Sequence, residues 1–545
     1  MKRIINTVLI LATLSATGFA LNSCQDALDI KQAGELKPEE VFTNVSNLSE
    51  ALNGSVYAIF DPIDEIYFTA VFTDEVKPGS GSGGQEYDLH RFFLDPSTSA
   101  VGGGTISTTS TDGIWLNNYK VINRINRLLE GAKSITPNGA AETATYNNIL
   151  AQARAIRAFC YVQLEAYFST NMKDPGALGV LLVKDVPSTD AKLPRVKNQD
   201  VYDFINSDLD YARGILTSSS SNAARYYVDK NFVNALTARF NIYRGNTALA
   251  KQYAQDVISN SGLSLTVATP GSILIDPNNP ALGFQPVGNP AWNTAFYGTA
   301  SSFNPYRNMW NDSARGEIIF SLNRLPLGAG GSIGTRWNTN QSTVSGVPMW
   351  FLGRNLFNLI YTPTGQPDKG DIRRYNYIDP TSVINTNYMN VDSKADRLVI
   401  DKYPGKTSTA TRNDLKVFRL SEMYFILAEA ETAAGNLSTA QGLIQQVRAA
   451  RNYLGTATTP TYANAQSAYA DILKERRIEL ALEGHRYIDL KRLATVAGVT
   501  MDRNIKDDFI TLPVLNLPND SYKYTLPIPV QETSANPNAQ QNPGY

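Results

Sequence analysis

Two stretches of this chain align without gaps at an offset of 190 residues. They are "ALTARFNIYRGNTALAKQYAQDVI", Ala235 to Ile258, and "FILAEAETAAGNLSTAQGLIQQVR", Phe425 to Arg448. Ala238 matches Ala428, Gly245 matches Gly435, Asn246 matches Asn436, Ala250 matches Ala440 and Val257 matches Val447. In each copy the Gly can end one helix in a left-handed conformation and the Asn can cap the next. Alanine on both sides of the turn lets two antiparallel helices approach closely.

This is the helix-turn-helix logic of tetratricopeptide repeats, in which one unit cannot bury its apolar face alone. Further helices are therefore expected to complete the array. A helical pattern covers Phe42 to Ile59, with Thr43 or Ser46 as N-cap, and others cover Asp112 to Gly131, Tyr146 to Phe168 and Val201 to Leu216. In the third, Ile149, Ala153, Ile156, Cys160, Leu164 and Tyr167 form an apolar stripe, with Arg154, Arg157, Tyr161 and Glu165 on another face. Cys160 is thus expected as a small core residue, not a reactive thiol.

Two regions break the pattern. Residues 77–111 are rich in Gly, Ser and Thr and hold "HRFFLD"; residues 263–414 are rich in Gly, Pro, Asn and aromatics and hold Trp292, Trp310, Trp337 and Trp350. The second reads as an irregular lobe inserted into the scaffold, with short strand-like runs such as Glu317 to Leu322. The expected organisation is a signal segment at 1–23 and a tether at 24–40. A helical scaffold follows at 41–262 with a ligand-side loop at 77–111, then the lobe at 263–414 and a C-terminal helical unit at 415–545.

The first residues concern location. Lys2 and Arg3 precede an uncharged run, Ile4 to Leu21, which suits an export signal better than a spanning helix. Ala20 could serve an ordinary cleavage. Leu21, Ser23 and Cys24 instead fit a lipoprotein signal, with Asn22 unusual in its place, and Cys24 is then the lipid attachment point. Two or more acyl chains would hold the protein to a membrane without spanning it. The other cysteine, Cys160, is left without a disulfide partner.

Charge and motifs bear on function. With 49 basic and 50 acidic residues and no basic run, nucleic acid is not an expected partner. The chain has two His, so a metal site would have at most two His ligands plus carboxylates, and it shows no H-E-x-x-H, G-x-S-x-G or P-loop pattern; no catalytic residue, metal ligand or cofactor is singled out, although 50 acidic residues leave paired carboxylates open. His485 and Asp489 are spaced for a hydrogen bond on a helix, more readily structural than catalytic. Glu475, Glu479 and Glu483, interleaved with Arg476, Arg477 and Arg486, read as an ion-pair network.

"ERRIELALEGHRYIDLKRL" (Glu475 to Leu493) and "LPIPVQETSANPNAQQNPGY" (Leu526 to Tyr545) stand with "WLNNYKVINRIN", "AQARAIRAFCYVQLEAYF" and "RLSEMYFILAEAETAAGN". With the lipobox, these closely resemble the SusD/RagB family of surface lipoproteins. The resemblance implies a mostly α fold, in which tetratricopeptide-like helix pairs support a loop-rich, aromatic-rich lobe. It implies a non-catalytic, lipid-anchored outer-membrane protein facing the cell exterior, a surface display that Asp26 after Cys24 suits. Such a protein would capture oligosaccharide and act as a lid on a SusC-like TonB-dependent transporter; the alternative within the family is peptide capture by a RagB-like member. The family motifs are scaffold motifs, so Trp115, within one of them, is expected in the core.

Ligand residues are therefore read from chemistry. A sugar needs an aromatic platform flanked by hydrogen-bonding side chains. Two loops offer that mixture: Tyr87, His90, Arg91 and Phe92 in one, and Trp292, Asn293, Tyr297, Tyr306, Arg307, Asn308 and Trp310 in the other.

Overall fold

The computed structural model describes residues 41–81, 87–94, 96, 108–268, 305–325, 333–337, 348–363, 365–379, 382–406, 409, 412–508 and 514–545. The signal segment, the tether, Cys24 and the loop with Trp292, Asn293 and Tyr297 lie outside the described residues. The elements run α1 (Val45–Ala51), α2 (Ile63–Phe72), β1 (Val76–Pro78), α3 (Tyr87–His90), α4 (Thr108–Ala132), α5 (Gly139–Phe168), β2 (Leu178–Leu181), β3 (Arg195–Lys197), α6 (Asn198–Ile215), α7 (Lys230–Tyr243) and α8 (Thr247–Asn260). They continue with α9 (Pro305–Trp310), β4 (Ile318–Leu322), β5 (Trp350–Leu352), α10 (Arg354–Ile360), α11 (Arg373–Tyr377), β6 (Leu415–Arg419), α12 (Leu420–Ala433), α13 (Leu437–Arg451), α14 (Ala465–Glu479), α15 (Arg486–Ala497) and α16 (Val530–Ala535).

The repeat copies become the helix pairs α7–α8 and α12–α13. Gly245 and Gly435 take φ of +80° and +81°, and the amides of Asn246 and Asn436 both donate, at 2.8 Å, to the carbonyls of Asn241 and Glu431. These two bonds are again 190 residues apart, so the turn is one structure written twice. The capping differs. Asn246 Oδ1 accepts from the Leu249 amide at 3.4 Å, whereas the Asn436 side chain makes no cap bond and donates to Glu431 Oε2 at 2.7 Å. α8 lies against α12, so the two pairs stack; α4, α5 and α6 extend the array on one side, α14 and α15 on the other.

α5 sits in the middle of this array, against α4, α6 and α7. Its apolar stripe is buried as expected, and Cys160 is inaccessible, its thiol pushed well up by burial. The opposite face is buried too: Arg157, Tyr161 and Glu165 are each at most 5% exposed. A second helix layer covers it, and Arg157 is neutralised there by Asp208 at 2.8 Å. Trp115 of α4 is core, its indole donating to Glu532 at 3.3 Å. The first helix is shorter than its pattern. Asn44, not Thr43 or Ser46, caps α1, and a π-helical turn, Leu52–Tyr57, follows it.

The lobe is stitched into the scaffold rather than appended. β4 pairs antiparallel with β6, which leads directly into α12, and β1 pairs with β5, drawing residues 76–78 into the lobe. Aromatic rings close the first seam: Phe232 of α7 lies 4.9 Å from Phe320 and 5.2 Å from Phe418. No helix among the described residues is long and apolar enough to cross a membrane.

Candidate functional site

The run Glu475 to Leu493 builds α14, a tight turn and α15. Its acidic ladder is an ion-pair network, but the partners are tertiary. Glu475 accepts from Arg373 and Arg448 at 2.7 Å each, Glu479 from Arg373, Arg419 and Arg451, and Glu483 from Arg419 and Lys402. Glu317, beside β4, joins Arg419 and Arg451 at 2.8 Å. These arginines hold the Glu479 carboxyl well below its usual range. The neighbouring Arg476, Arg477 and Arg486 point elsewhere, to Asp489, Asp502 and Asp74. Four elements from scaffold and lobe are thus locked through charges that, apart from the 12% exposed Arg448, are at most a few per cent exposed.

His485 caps α15 and is buried, yet its side chain does not bond Asp489; the carboxylate is taken by Arg476 at 2.7 Å and Arg492 at 2.8 Å. Burial and the charges of Arg239, Arg476, Arg419 and Arg492 push its pKa well down. A neutral imidazole inside a cationic shell, without a carboxylate behind it, is not a general base in waiting.

Most described ligand candidates turn inward. Tyr306 and Trp310 are 0% exposed, and Arg307 is spent on Asp401 at 2.7 Å. Trp310 stacks under cations, with Lys402, Arg419 and Lys416 at 4.5, 5.2 and 5.3 Å from its ring. His90 is 0% exposed, 5.4 Å from the Trp350 ring, and Phe92 is buried beneath Arg503 at 4.3 Å. These five are corrected to core residues: their surroundings are irregular in backbone but filled like any interior. Tyr87, Arg91 and Asn308 remain half-buried at the surface. The positive φ of Phe92, 63°, reverses the chain so that Phe93 emerges, 51% exposed.

A different platform lies nearby. Tyr388 rests on the guanidinium of Arg354, 3.9 Å from the ring centroid, and its hydroxyl accepts from Asn358 Nδ2 at 3.4 Å. Arg354 is buried and fixed by Asp396 at 2.9 Å and by Asn358 Oδ1 at 3.0 Å. Its amide donates to Asp507, which burial pushes up to about 6. Around the ring lie Asn385, Asn387 and Asn390, linked through Asn387 N to Asn385 Oδ1 at 2.9 Å and Asn390 Nδ2 to Asn387 Oδ1 at 2.6 Å. Asn355 and Asn504, joined at 2.8 Å, continue the surface to the exposed Ile505. The result is a half-buried aromatic, its rotamer held by a cation and an amide, within a field of asparagines. The run "INTNYMN", Ile384 to Asn390, carries the same Asn–aromatic mixture as the two loops chosen from sequence and could have been found by it.

Fold and surface together define the class: a helical-repeat scaffold carrying an irregular lobe that presents aromatic and amide side chains. Residues 385–545 match the SusD family model. A SusD-like protein P2 of Formosa agariphila is 25% identical over 96% of this chain and 97% of its own. Among solved structures, a SusD superfamily protein from Bacteroides thetaiotaomicron superposes with a TM-score of 0.68 at 23% identity, covering 92% of this chain and 100% of that one. A laminarin-binding SusD-like protein superposes at 0.60 and 20% identity, over 91% and 99%. Residues 385–545 thus match the SusD family, and over nearly its whole length the chain is similar to SusD-like proteins.

Proposed function

We propose that the protein is a surface lipoprotein, anchored through Cys24 in the outer membrane. It captures oligosaccharide without cleaving it and presents it, as a lid, to a SusC-like TonB-dependent transporter. The observation that carries the reading is Tyr388 on Arg354. A ring held from below and ringed by amides suits the C–H face and hydroxyl belt of a sugar. The fold shared with a laminarin-binding relative supports it. Tyr87, Arg91, Asn308 and the loop of Trp292, Asn293 and Tyr297 complete the proposed ligand surface, with Phe93 added.

Calorimetric titration of the protein with polysaccharides and peptide mixtures tests this reading. Retention of a polysaccharide with no released product is expected. Tyr388→Ala and Trp292→Ala should each weaken it by about 1–3 kcal/mol, on the scale of losing an aromatic hot spot, with the fold unchanged. Affinity for peptides alone would select the RagB-like alternative, and turnover abolished by changing one carboxylate would overturn capture. In cells, Cys24→Ala should move the protein out of the outer-membrane pellet; a variant still sedimenting with the membrane would reject the anchor.

A further inference from the structure

A cavity of about 440 Å³ opens where the lobe meets the repeat, between α10–α11 and α13–α14. That is within the size range of small-molecule sites, about 300–1,000 Å³. Its wall is fixed by main-chain bonds across the junction. Ile372 N donates to Arg451 O at 3.0 Å, and Tyr453 N to Gly370 O at 2.9 Å. Gly370, at φ +70°, lets the two strands of chain approach, since a Cβ there would meet Asn452 Oδ1 at 2.9 Å.

The charges lining the cavity do not balance. Asp371 is held by Arg373 at 2.7 Å, Glu475 by Arg373 and Arg448, and Asp471 by Arg448 at 2.8 Å and the Tyr462 hydroxyl at 2.8 Å. Each carboxylate therefore has its guanidinium. Arg451 is paired with Glu317 and Glu479 behind the wall, and Lys369 and Lys474 are the remainder. Among the described residues, Lys369 Nζ donates only to carbonyls in the last turn of α10, Asn358 O at 3.1 Å and Leu359 O at 3.3 Å, and Lys474 forms no ion pair. Burial and the charge of Lys474 lower the pKa of Lys369 against the opposing pull of Asp371, so the two ammonium groups feel one another across the cavity. Two cations outside any ion pair among the described residues, beside Thr456 and Thr458, leave the cavity a place for a negative charge. The cavity is next to the aromatic platform: Asn358, whose carbonyl Lys369 caps, is the residue that holds the Tyr388 hydroxyl.

We infer that this cavity binds an anionic substituent of the ligand, a carboxylate or a sulfate ester, through Lys369 and Lys474, so that the captured glycan is acidic. The inference rests on the glycan reading above and narrows it. The anion replaces water between the ammonium groups and the neighbouring ring lies against Tyr388.

The test is calorimetric titration of the full chain in detergent with trigalacturonic acid and with a sulfated galactose oligosaccharide, each against its neutral counterpart. At least one acidic probe should bind about tenfold tighter than its counterpart, and the preference should weaken with salt. Whichever acidic probe is preferred distinguishes carboxylate from sulfate. The Lys369→Gln/Lys474→Gln variant should lose the preference while keeping its neutral-glycan affinity and its melting temperature, because both lysines are exposed. Lys474→Glu alone should reverse the preference. Equal affinity for acidic and neutral probes, or a preference that survives the double variant, overturns the inference while leaving glycan capture standing. Failure to bind any glycan, neutral or acidic, overturns both.

Discussion

Arg419 Nη1 and Glu479 Oε1 meet at 2.7 Å deep in the protein, where neither side chain is more than 1% exposed. Arg419 ends β6, the strand that pairs with β4 of the lobe, and Glu479 ends α14, so the pair fixes that seam to the helical scaffold. Arg373 and Arg451 converge on the same carboxylate.

Removing that carboxylate takes a shared counterion from three buried guanidinium groups and leaves Glu317, Glu475, Glu483 and Asp371 to balance them. Glu479→Gln should therefore destabilise the fold by about 3–5 kcal/mol near neutral pH, read from urea denaturation. The folded-state pKa of Glu479 is depressed, so its stabilising share is present above the unfolded value and lost as pH falls through the folded one. The gap between wild type and variant should then close in acid. A gap equally wide at pH 7 and pH 3 would contradict this role.

Glu65 behaves in the opposite sense. Burial pushes it up to about 8, against the downward pull of the Asn118 amide at 2.8 Å. The folded state keeps a proton that the unfolded chain releases near 4.5, so this stabilising share is complete below that value and lost as pH rises through 8. Glu65→Gln keeps the neutral shape and removes the titration. Its stability relative to wild type should climb by up to about 1.4 kcal/mol per pH unit between pH 5 and 8. Urea midpoints measured across that range check it, and a constant difference would refute it.

The turn of the second helix pair permits an internal comparison. Gly435 has φ +81°, and no atom lies within 4 Å of the point a Cβ would occupy. Gly435→Ala therefore meets only the backbone cost of the left-handed region, about 1 kcal/mol. Gly442, seven residues on and inside α13, also has nothing within 4 Å of a Cβ, and Gly442→Ala should stabilise by about 0.5–1 kcal/mol. Opposite shifts in melting temperature from the same substitution are expected. Shifts of one sign would show that the turn geometry is not what fixes Gly435.

The scaffold was legible because its signals are local. Gly245, Gly435 and the alanines of the repeat announce a turn between packed helices, Cys160 lies in an apolar stripe, and Trp115 lies in a motif read as scaffold. The extent of α5 was less clear. Its first seven residues, from Gly139, carry little apolar periodicity, and the burial of Arg157 depends on Asp208, 51 positions away. The ligand surface was least legible. Trp310 and Phe93 both lie in stretches that mix aromatic and polar residues; what separates them is Lys402 and Lys416 over one ring and a left-handed Phe92 behind the other. Neither cause can be read within a loop. The same holds for Lys369 and Lys474, which become a pair only after the lobe folds against α14.

Trp310 gives the sharpest contrast with the proposed platform. Its ring is enclosed by Tyr403, at 5.3 Å and nearly perpendicular, and by three cations, so the indole is a structural counterpart for buried charge. Trp310→Ala opens a cavity and leaves those cations facing it, which should cost about 3–5 kcal/mol in urea denaturation. The molecules that remain folded should bind the same glycan with the wild-type dissociation constant, because no face of the indole reaches the surface. Tyr388→Ala should do the reverse, sparing the denaturation midpoint and weakening the ligand. Were Trp310→Ala to keep its stability and lose the glycan, the indole would belong to the binding surface and the lobe interior would have to open for ligand to reach it.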